Sequence, residues 1–356
     1  MQEKTHWKDV IIIGGAIMGS VVGAGFASGQ EVMQFFTHLG FAGSIGAGLV
    51  GMLVLAWASM TILEDGRTQQ FDNVNEIFAF YCGKKLGTFF EWFVPTLMLL
   101  AFSIMISAAG ATVEQHYGIN GHFGRLILAL LTLFTVLLGL KRLARIVGSV
   151  APAFIAFTML IGLTSLLKNP QGIADSGQAL ATIQMKGAYG HWFLSGLMYA
   201  SFLMVGFMPF ATGLGQQAKS SKDTLLGGLF AGIFFLTGAM ILSTGLLVQI
   251  KDVYHTQIPS LVIAANNMPL AATFFALLMF TGIYTASVSM LWTAVNRIEG
   301  NHSTLRYRRT AVLMTVLALF GGQLQFSTMV ALVYPAVGYL GLVLIAGMIY
   351  TKISIK

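Results

Sequence analysis

Hydrophobic residues arrive in blocks along nearly the whole chain, separated by short polar stretches. Each block is roughly 20 residues long, the length an α-helix needs to cross about 30 Å of hydrocarbon. A water-soluble fold would have to cover these blocks with polar surface. Only 9% of the residues are charged, against about 25% in soluble domains. Barrel strands would alternate over about 10 residues, a pattern this chain does not follow. The pattern therefore predicts an all-α membrane protein. MQEKTHWKDV is mixed in charge, and the apolar block after it is long and has no clear small-residue cleavage site. That block is expected to be a retained span rather than a signal peptide. Cys82 is the only cysteine, so no intrachain disulfide is expected.

Ten spans are predicted, at 10–36, 41–63, 86–111, 123–140, 146–167, 191–214, 224–249, 271–295, 308–323 and 326–350. Lysine and arginine alternate between the two sets of loops and termini that these spans define. Sixteen fall on one side, and only Arg125, Lys168, Lys186 and Lys251 on the other. The positive-inside rule makes the first side cytoplasmic and puts both termini there. Two of the longer loops, around Phe71 to Tyr81 and Gln257 to Met268, mix apolar and polar residues and are expected to form short interfacial helices.

The chain reads as a single transmembrane domain, 1–356, built from two similar halves, 10–167 and 191–350. Each half has a glycine- or proline-interrupted span, a second span, a longer loop and three more spans. Five spans is an odd number, so the second half must enter the bilayer upside down, the layout of an inverted repeat.

The first span carries the strongest local signal. Gly15, Gly19 and Gly23 lie four apart on one helix face, and Gly43, Ala47 and Gly51 repeat that spacing on the second span. Such stripes let another backbone approach closely. Gly23, Gly25 and Gly29 add more glycine than packing needs, at about 1 kcal/mol each relative to alanine inside a helix. With Ser28 and Gln30 they predict an unwound stretch near mid-membrane. Unwound backbone is tolerated there where it is buried in protein or lines a cavity. Its free carbonyls can hold a cation, and the N–H groups opening the next half-helix can hold a carboxylate. Glu31 is the one acidic residue well inside a predicted span, apart from Glu91 near the start of the third. A carboxylate at such depth is costly and marks function. At about 1.5 Å of rise per residue it is expected roughly 9 Å outward of Gly25, above the break. In the sixth span, Gly206 and Pro209 predict a second helix weakness, with Tyr199, Ser201, Phe202 and Phe207 nearby.

The run Val22-Gly23-Ala24-Gly25-Phe26-Ala27-Ser28-Gly29-Gln30-Glu31 resembles the signature of the YkvI-type bacterial membrane proteins. More distantly, the layout is similar to the LeuT-type fold of the amino acid–polyamine–organocation superfamily. Its sodium-coupled members carry a Gly-x-x-Val-Gly-x-Gly run, seen here as Gly19-Ser20-Val21-Val22-Gly23-Ala24-Gly25. The resemblance implies about ten helices as two inverted five-helix repeats, the first helix of each interrupted. It implies a substrate site at Gly23, Ala24, Gly25, Phe26, Ala27, Ser28, Glu31, Tyr199, Ser201, Phe202 and Gly206, with Phe202 as an aromatic lid. It also implies a sodium site made by carbonyls of Gly19, Val22 and Gly282 and hydroxyls of Thr285 and Ser287. No lysine follows the cytoplasmic start of the fifth span. Proton-coupled relatives can place an amine there, so its absence favours sodium.

All seven histidines fall in loops or at span ends, with no metal-ligand spacing. No phosphate-binding loop, GxSxG or HExxH appears, which leaves no support for ATP-driven transport or a common hydrolase. The expected function is therefore not enzymatic. It is secondary transport of a small organic solute, an amino acid or related zwitterion or amine, by alternating access in a bacterial cytoplasmic membrane. No cofactor is expected beyond Na+ as a coupling ion. The expected partners are that small-molecule substrate and the lipid bilayer, not nucleic acid. Proton coupling through Glu31, or a channel or sensor of the same fold, is the alternative.

Overall fold

A computed structural model describes residues 5–138, 144–183, 185–299 and 304–354, with side chains undescribed between 144 and 153. Among the sixteen basic residues assigned to one side, Lys4, Lys141, Arg142 and Lys356 lie outside the described residues, as does the side chain of Arg145. His302 lies outside them too.

The described residues form helices and no strand. The first predicted span is three short helices, α1 (Trp7–Val21), α2 (Ala24–Ser28) and α3 (Gln30–Phe35). Long helices follow: α4 (Gly40–Gln69), α5 (Glu76–Tyr117), α6 (Gly121–Leu138) and α7 (Ala144–Lys168). Then come the short α8 (Gly172–Ile183), and the long α9 (Trp192–Gln216) and α10 (Ser221–Val248). The short α11 (Ile250–Val253) and α12 (Pro259–Asn267) precede α13 (Pro269–Ile298), α14 (Leu305–Gly321) and α15 (Phe326–Ser354). The expected loop helices are α12 and the first turns of α5, which bends at Gly83.

Seven helical stretches among the described residues are long and apolar enough to cross a membrane: 30–69, α5, α6, α9, α10, α13 and α15. The other three predicted spans fall on α1, α7 and α14. α1 stops after 15 residues, α14 has 17 and opens with Arg306, Arg308 and Arg309, and the described side chains of α7 begin at Phe154. Large apolar side chains point outward around the bundle, among them Leu53, Phe123, Phe134, Phe274 and Leu332. Lipid tails solvate them as well as a protein core would, so close packing rather than apolar burial must hold the helices together. α4 does this against α9 and α10. A Cβ added at Gly232 would lie 2.6 Å from the Ala56 nitrogen, and one at Gly228 would lie 2.6 Å from the Met60 nitrogen. Gly51, in the predicted stripe, sits against the Gly196 carbonyl.

Polar bonds tie one end of the bundle together. The Lys352 ammonium and the Tyr81 hydroxyl both donate to Asp65 at the end of α4. Gln70, just past α4, donates to the carbonyl of Gln216, which ends α9. His6 Nδ1 lies 3.1 Å from Asp223 in the first turn of α10, and Lys219 donates to Asp9 of α1. Both ends of the described chain therefore meet on one face. Glu91 is not an isolated buried acid: it pairs with Arg297 at 3.5 Å, and that guanidinium stacks on Trp92.

The sixth span departs from expectation. α9 runs unbroken from Trp192 to Gln216 with Pro209 inside it. Proline removes one N–H and frees the carbonyl four residues earlier. Packed neighbours and small local adjustments can absorb that in a membrane helix. The interruption implied at the head of the second repeat is thus a proline within a continuous helix.

Candidate functional site

The first span is interrupted where its glycines cluster. Val22 (φ −73°, ψ 104°) and Gly23 (φ −113°, ψ −177°) are both extended, separating α1 from α2. A helix leaves its last carbonyls without helical partners. The Met18 carbonyl recovers one from the Val22 N–H, but among the described residues no backbone N–H reaches those of Gly19, Ser20, Val21 or Val22. A second interruption follows at Gly29, whose φ of +85° is left-handed. Glycine takes that conformation without the penalty a Cβ would bring. Ser28 braces the corner: its hydroxyl donates to the Gly25 carbonyl and accepts the Gln30 N–H.

This second bend corrects the expected position of Glu31. A constant rise per residue would place Glu31 away from Gly25 only if one straight helix joined them. With the chain turned at Gly29, the Glu31 side chain folds back onto the break. A Cβ at Gly25 would lie 2.5 Å from Glu31 Cγ and 2.7 Å from its Cδ, so only glycine leaves room. The carboxylate accepts, at 3.0 Å, the hydroxyl of Tyr199 on α9. Glu31 is 2% exposed, and no ion pair among the described residues includes it. Two candidates from distant parts of the sequence, Glu31 and Tyr199, are thus in direct contact.

Aromatic rings pack against Tyr199. Tyr199 has Phe35 at 5.0 Å and Phe36 at 4.9 Å between ring centroids. Phe202, one helical turn along α9, stacks on Tyr334 of α15 at 4.3 Å and lies 6.4 Å from Phe35. Phe35 and Tyr334 were not singled out in the sequence, where an aromatic in an apolar helix looks like packing. The only hint was a tyrosine beside Pro335 in mid-span.

Other candidates are placed differently. Ala24, Gly25, Phe26, Ala27 and Ser28 are all buried in α2, and Gly23 opens that helix as its cap. The Ala27 carbonyl accepts the Ser260 hydroxyl of α12. The Ser201 hydroxyl turns back to the Leu197 carbonyl of its own helix. Gly206 faces open space near Met98 rather than the carboxylate. Thr285 and Ser287 donate to the Gly282 and Ile283 carbonyls of α13 itself, the usual resting arrangement of such hydroxyls. Among the described residues, no recorded bond joins them to Gly19 or Val22. The one group of metal-competent side chains there is His6, Asp9 and Asp223, at the far end of α1.

The side of the break away from the start of α1 is covered by the segment around α12, which reads in the sequence only as an interfacial run. Gln30 donates to the Thr256 carbonyl at 2.6 Å, and Ser260 N would lie 3.3 Å from a Cβ at Gly29. Gln115 of α5 holds the same segment through both the carbonyl and the N–H of Ile258. Beside this cover a polar cleft of about 460 Å³ opens over Gln30, Gln34, Lys186 and His255.

No family model matches the chain. It is 25% identical over 345 residues to the uncharacterized membrane protein YkvI of Bacillus subtilis (strain 168), covering 94% of each chain. It is 22% identical to the uncharacterized protein YyaD of the same organism, covering 96% of each. Among solved structures it is similar to the Eremococcus coleocola manganese transporter in complex with an aromatic bis-isothiourea compound. That match has a TM-score of 0.63 and 13% identity, and covers 99% of this chain and 88% of the other. It is also similar to MhsT in complex with L-phenylalanine (TM-score 0.61, 15% identity, 96% and 87% covered). A Na+-coupled sialic acid symporter gives a TM-score of 0.58 at 11% identity, with 97% and 90% covered. The likeness to YkvI and to the LeuT-type fold, read from the first span, therefore extends over the whole chain. The protein is an integral, multi-pass membrane protein of that fold.

Proposed function

We propose that the chain is a secondary active transporter of a small organic solute, an amino acid or related zwitterion or amine, coupled to sodium by alternating access. One observation carries the reading: a first span interrupted twice, with a buried carboxylate folded onto its break and held by a tyrosine from α9. A soluble solute needs such a polar site in mid-membrane, and packing alone does not explain one. The fastenings on either side suit alternation. Outward, Gln30 and Ser260 each hold the cover by a single hydrogen bond. At the other end, Lys219–Asp9 and His6–Asp223 hold the start of α1. Neutral hydrogen bonds contribute about 0.5–1.5 kcal/mol each, so the cover can open at modest cost. The solved neighbours named above are transporters, which agrees with this reading.

Sodium coupling is supported by the unpartnered carbonyls from Gly19 to Val22. Turning Thr285 and Ser287 away from their own helix would complete a shell with Gly282. A rival reading draws on Glu31, whose carboxylate has no cationic partner and could carry a proton instead. The inverted halves, 10–167 and 191–350, and cytoplasmic termini complete the proposal.

Ligand-induced thermal stabilisation of the purified protein, with and without sodium, tests the reading. Ligand at about a hundred times its Kd adds about 2.7 kcal/mol to stability, a readily measured shift. The expected result is stabilisation by an amino acid or amine that strengthens when sodium replaces potassium. Stabilisation indifferent to sodium but dependent on pH would transfer the coupling to Glu31.

A further inference from the structure

We propose that the solute is an organic ammonium ion without a carboxylate, because Glu31 supplies the carboxylate from within the protein. This rests on the reading of the broken span as the solute site.

Free N–H groups at a helix start attract anions, and in a broken-helix site they are the natural seat for an amino acid's carboxylate. Here that seat is taken. Glu31 lies over Gly25, at the start of α2, in the space a Cβ would fill. The left-handed Gly29 turns it there, and the Tyr199 hydroxyl holds one of its oxygens. A second carboxylate would meet a like charge in a setting where water cannot screen it. What the site lacks is positive charge. None of the ion pairs among the described residues involves Glu31, and a buried carboxylate is stable when it is paired.

The surroundings suit an ammonium group rather than a metal ion. Tyr199, whose hydroxyl reaches the carboxylate, belongs to an aromatic cluster with Phe35, Phe202 and Tyr334. Ring faces attract cations, and aromatic enclosures recognise alkylated ammonium groups. A divalent metal would need several further oxygen or nitrogen ligands. Among the described residues, the one cluster of such side chains is at the other end of α1. Phe202 and Tyr334 stack at 4.3 Å, and a ligand would enter the cluster by parting these two rings.

The test uses matched pairs that differ only by a carboxylate: phenethylamine and phenylalanine, tyramine and tyrosine, isoamylamine and leucine, putrescine and ornithine. Choline and the neutral alcohol of each amine complete the panel. Binding to the full-length purified protein is read by thermal stabilisation, and uptake by flux into proteoliposomes. The expected result is an amine, or choline, that binds at least about tenfold tighter than its amino acid, while the alcohol does not bind. Glu31→Gln should weaken that amine by about tenfold or more. Should Glu31→Gln fail to fold, Gly25→Ala, which displaces the carboxylate without removing it, should produce a loss of the same kind. An amino acid that outbinds its amine would overturn the inference and leave the transporter reading standing. An amine bound equally well by the wild type and both variants would overturn it too. If no compound of either class bound or moved, the solute site itself would be misassigned.

Discussion

Replacing Gly25 with alanine sets two local effects against each other. Gly25 is helical and its φ is not positive, so alanine is conformationally welcome. By helix propensity it would stabilise α2 by up to about 1 kcal/mol. Against this stands the Glu31 side chain, whose Cγ and Cδ would lie 2.5 and 2.7 Å from the new methyl group. Carbon atoms pack at about 3.5–4.0 Å, so the side chain must retreat by about 1 Å. The Tyr199–Glu31 bond is 3.0 Å long now and would not survive that shift. A hydrogen bond to a charged group contributes about 1.5–3 kcal/mol, and the Tyr199 bond is at risk. The expected outcome is a net loss of about 0.5–3 kcal/mol, after the propensity gain is set against that bond. Thermal unfolding of purified protein measures the stability, and ligand titration measures the site. Solute affinity should fall at least about tenfold, the equivalent of 1.4 kcal/mol. A Gly25→Ala protein with wild-type melting temperature and wild-type affinity would refute the placement of the carboxylate on the break. Gly25→Leu should abolish binding outright.

Ser260→Ala removes the hydroxyl that reaches the Ala27 carbonyl at 2.6 Å. It should weaken the cover by about 1 kcal/mol, seen as faster thiol labelling of a cysteine at Gln34, which lines the adjoining cleft. Gly29→Ala forces a Cβ into left-handed backbone at about 1–2 kcal/mol, and should lower the melting temperature and solute affinity together. A cysteine at Lys219 should resist impermeant thiol reagents in intact cells, while one at Asp175 should react; the reverse pattern would invert the topology. Asp65→Asn leaves the Lys352 ammonium without its carboxylate and should cost about 1–3 kcal/mol of stability, discounted because Lys352 is 43% exposed. Adding Lys352→Met should recover part of that loss.

Much of the architecture was readable because lipid imposes a length and a composition on every spanning helix. The break was readable because glycines at 23, 25 and 29 cost too much helix propensity to be idle. Glu31 stood out through its isolation, and Tyr199 through its place on the span expected to face the break. What stayed hidden depends on direction in space. The left-handed turn at Gly29 reverses where Glu31 points, and a rise per residue cannot register a corner. Pro209 looks the same in a broken helix as in a continuous one, since neighbouring helices decide whether the freed carbonyl is tolerated. Phe35 and Tyr334 are ordinary apolar-span aromatics until α3, α9 and α15 meet. The hold of Ser260 and Thr256 on the first span joins residues more than 200 positions apart. Nothing local in residues 250–268 announces that contact.

The central claim is that the carboxylate on the broken first span belongs to a carrier's solute site. Uptake of a radiolabelled binding amine into proteoliposomes, with the wild type and Glu31→Gln measured side by side under an imposed inward sodium gradient, tests it most directly. The account predicts saturable accumulation above the external concentration by the wild type, collapsing when the gradient is dissipated, and little or none by Glu31→Gln. Accumulation by Glu31→Gln at the wild-type rate, or a flux that never saturates and never exceeds equilibration, would contradict it.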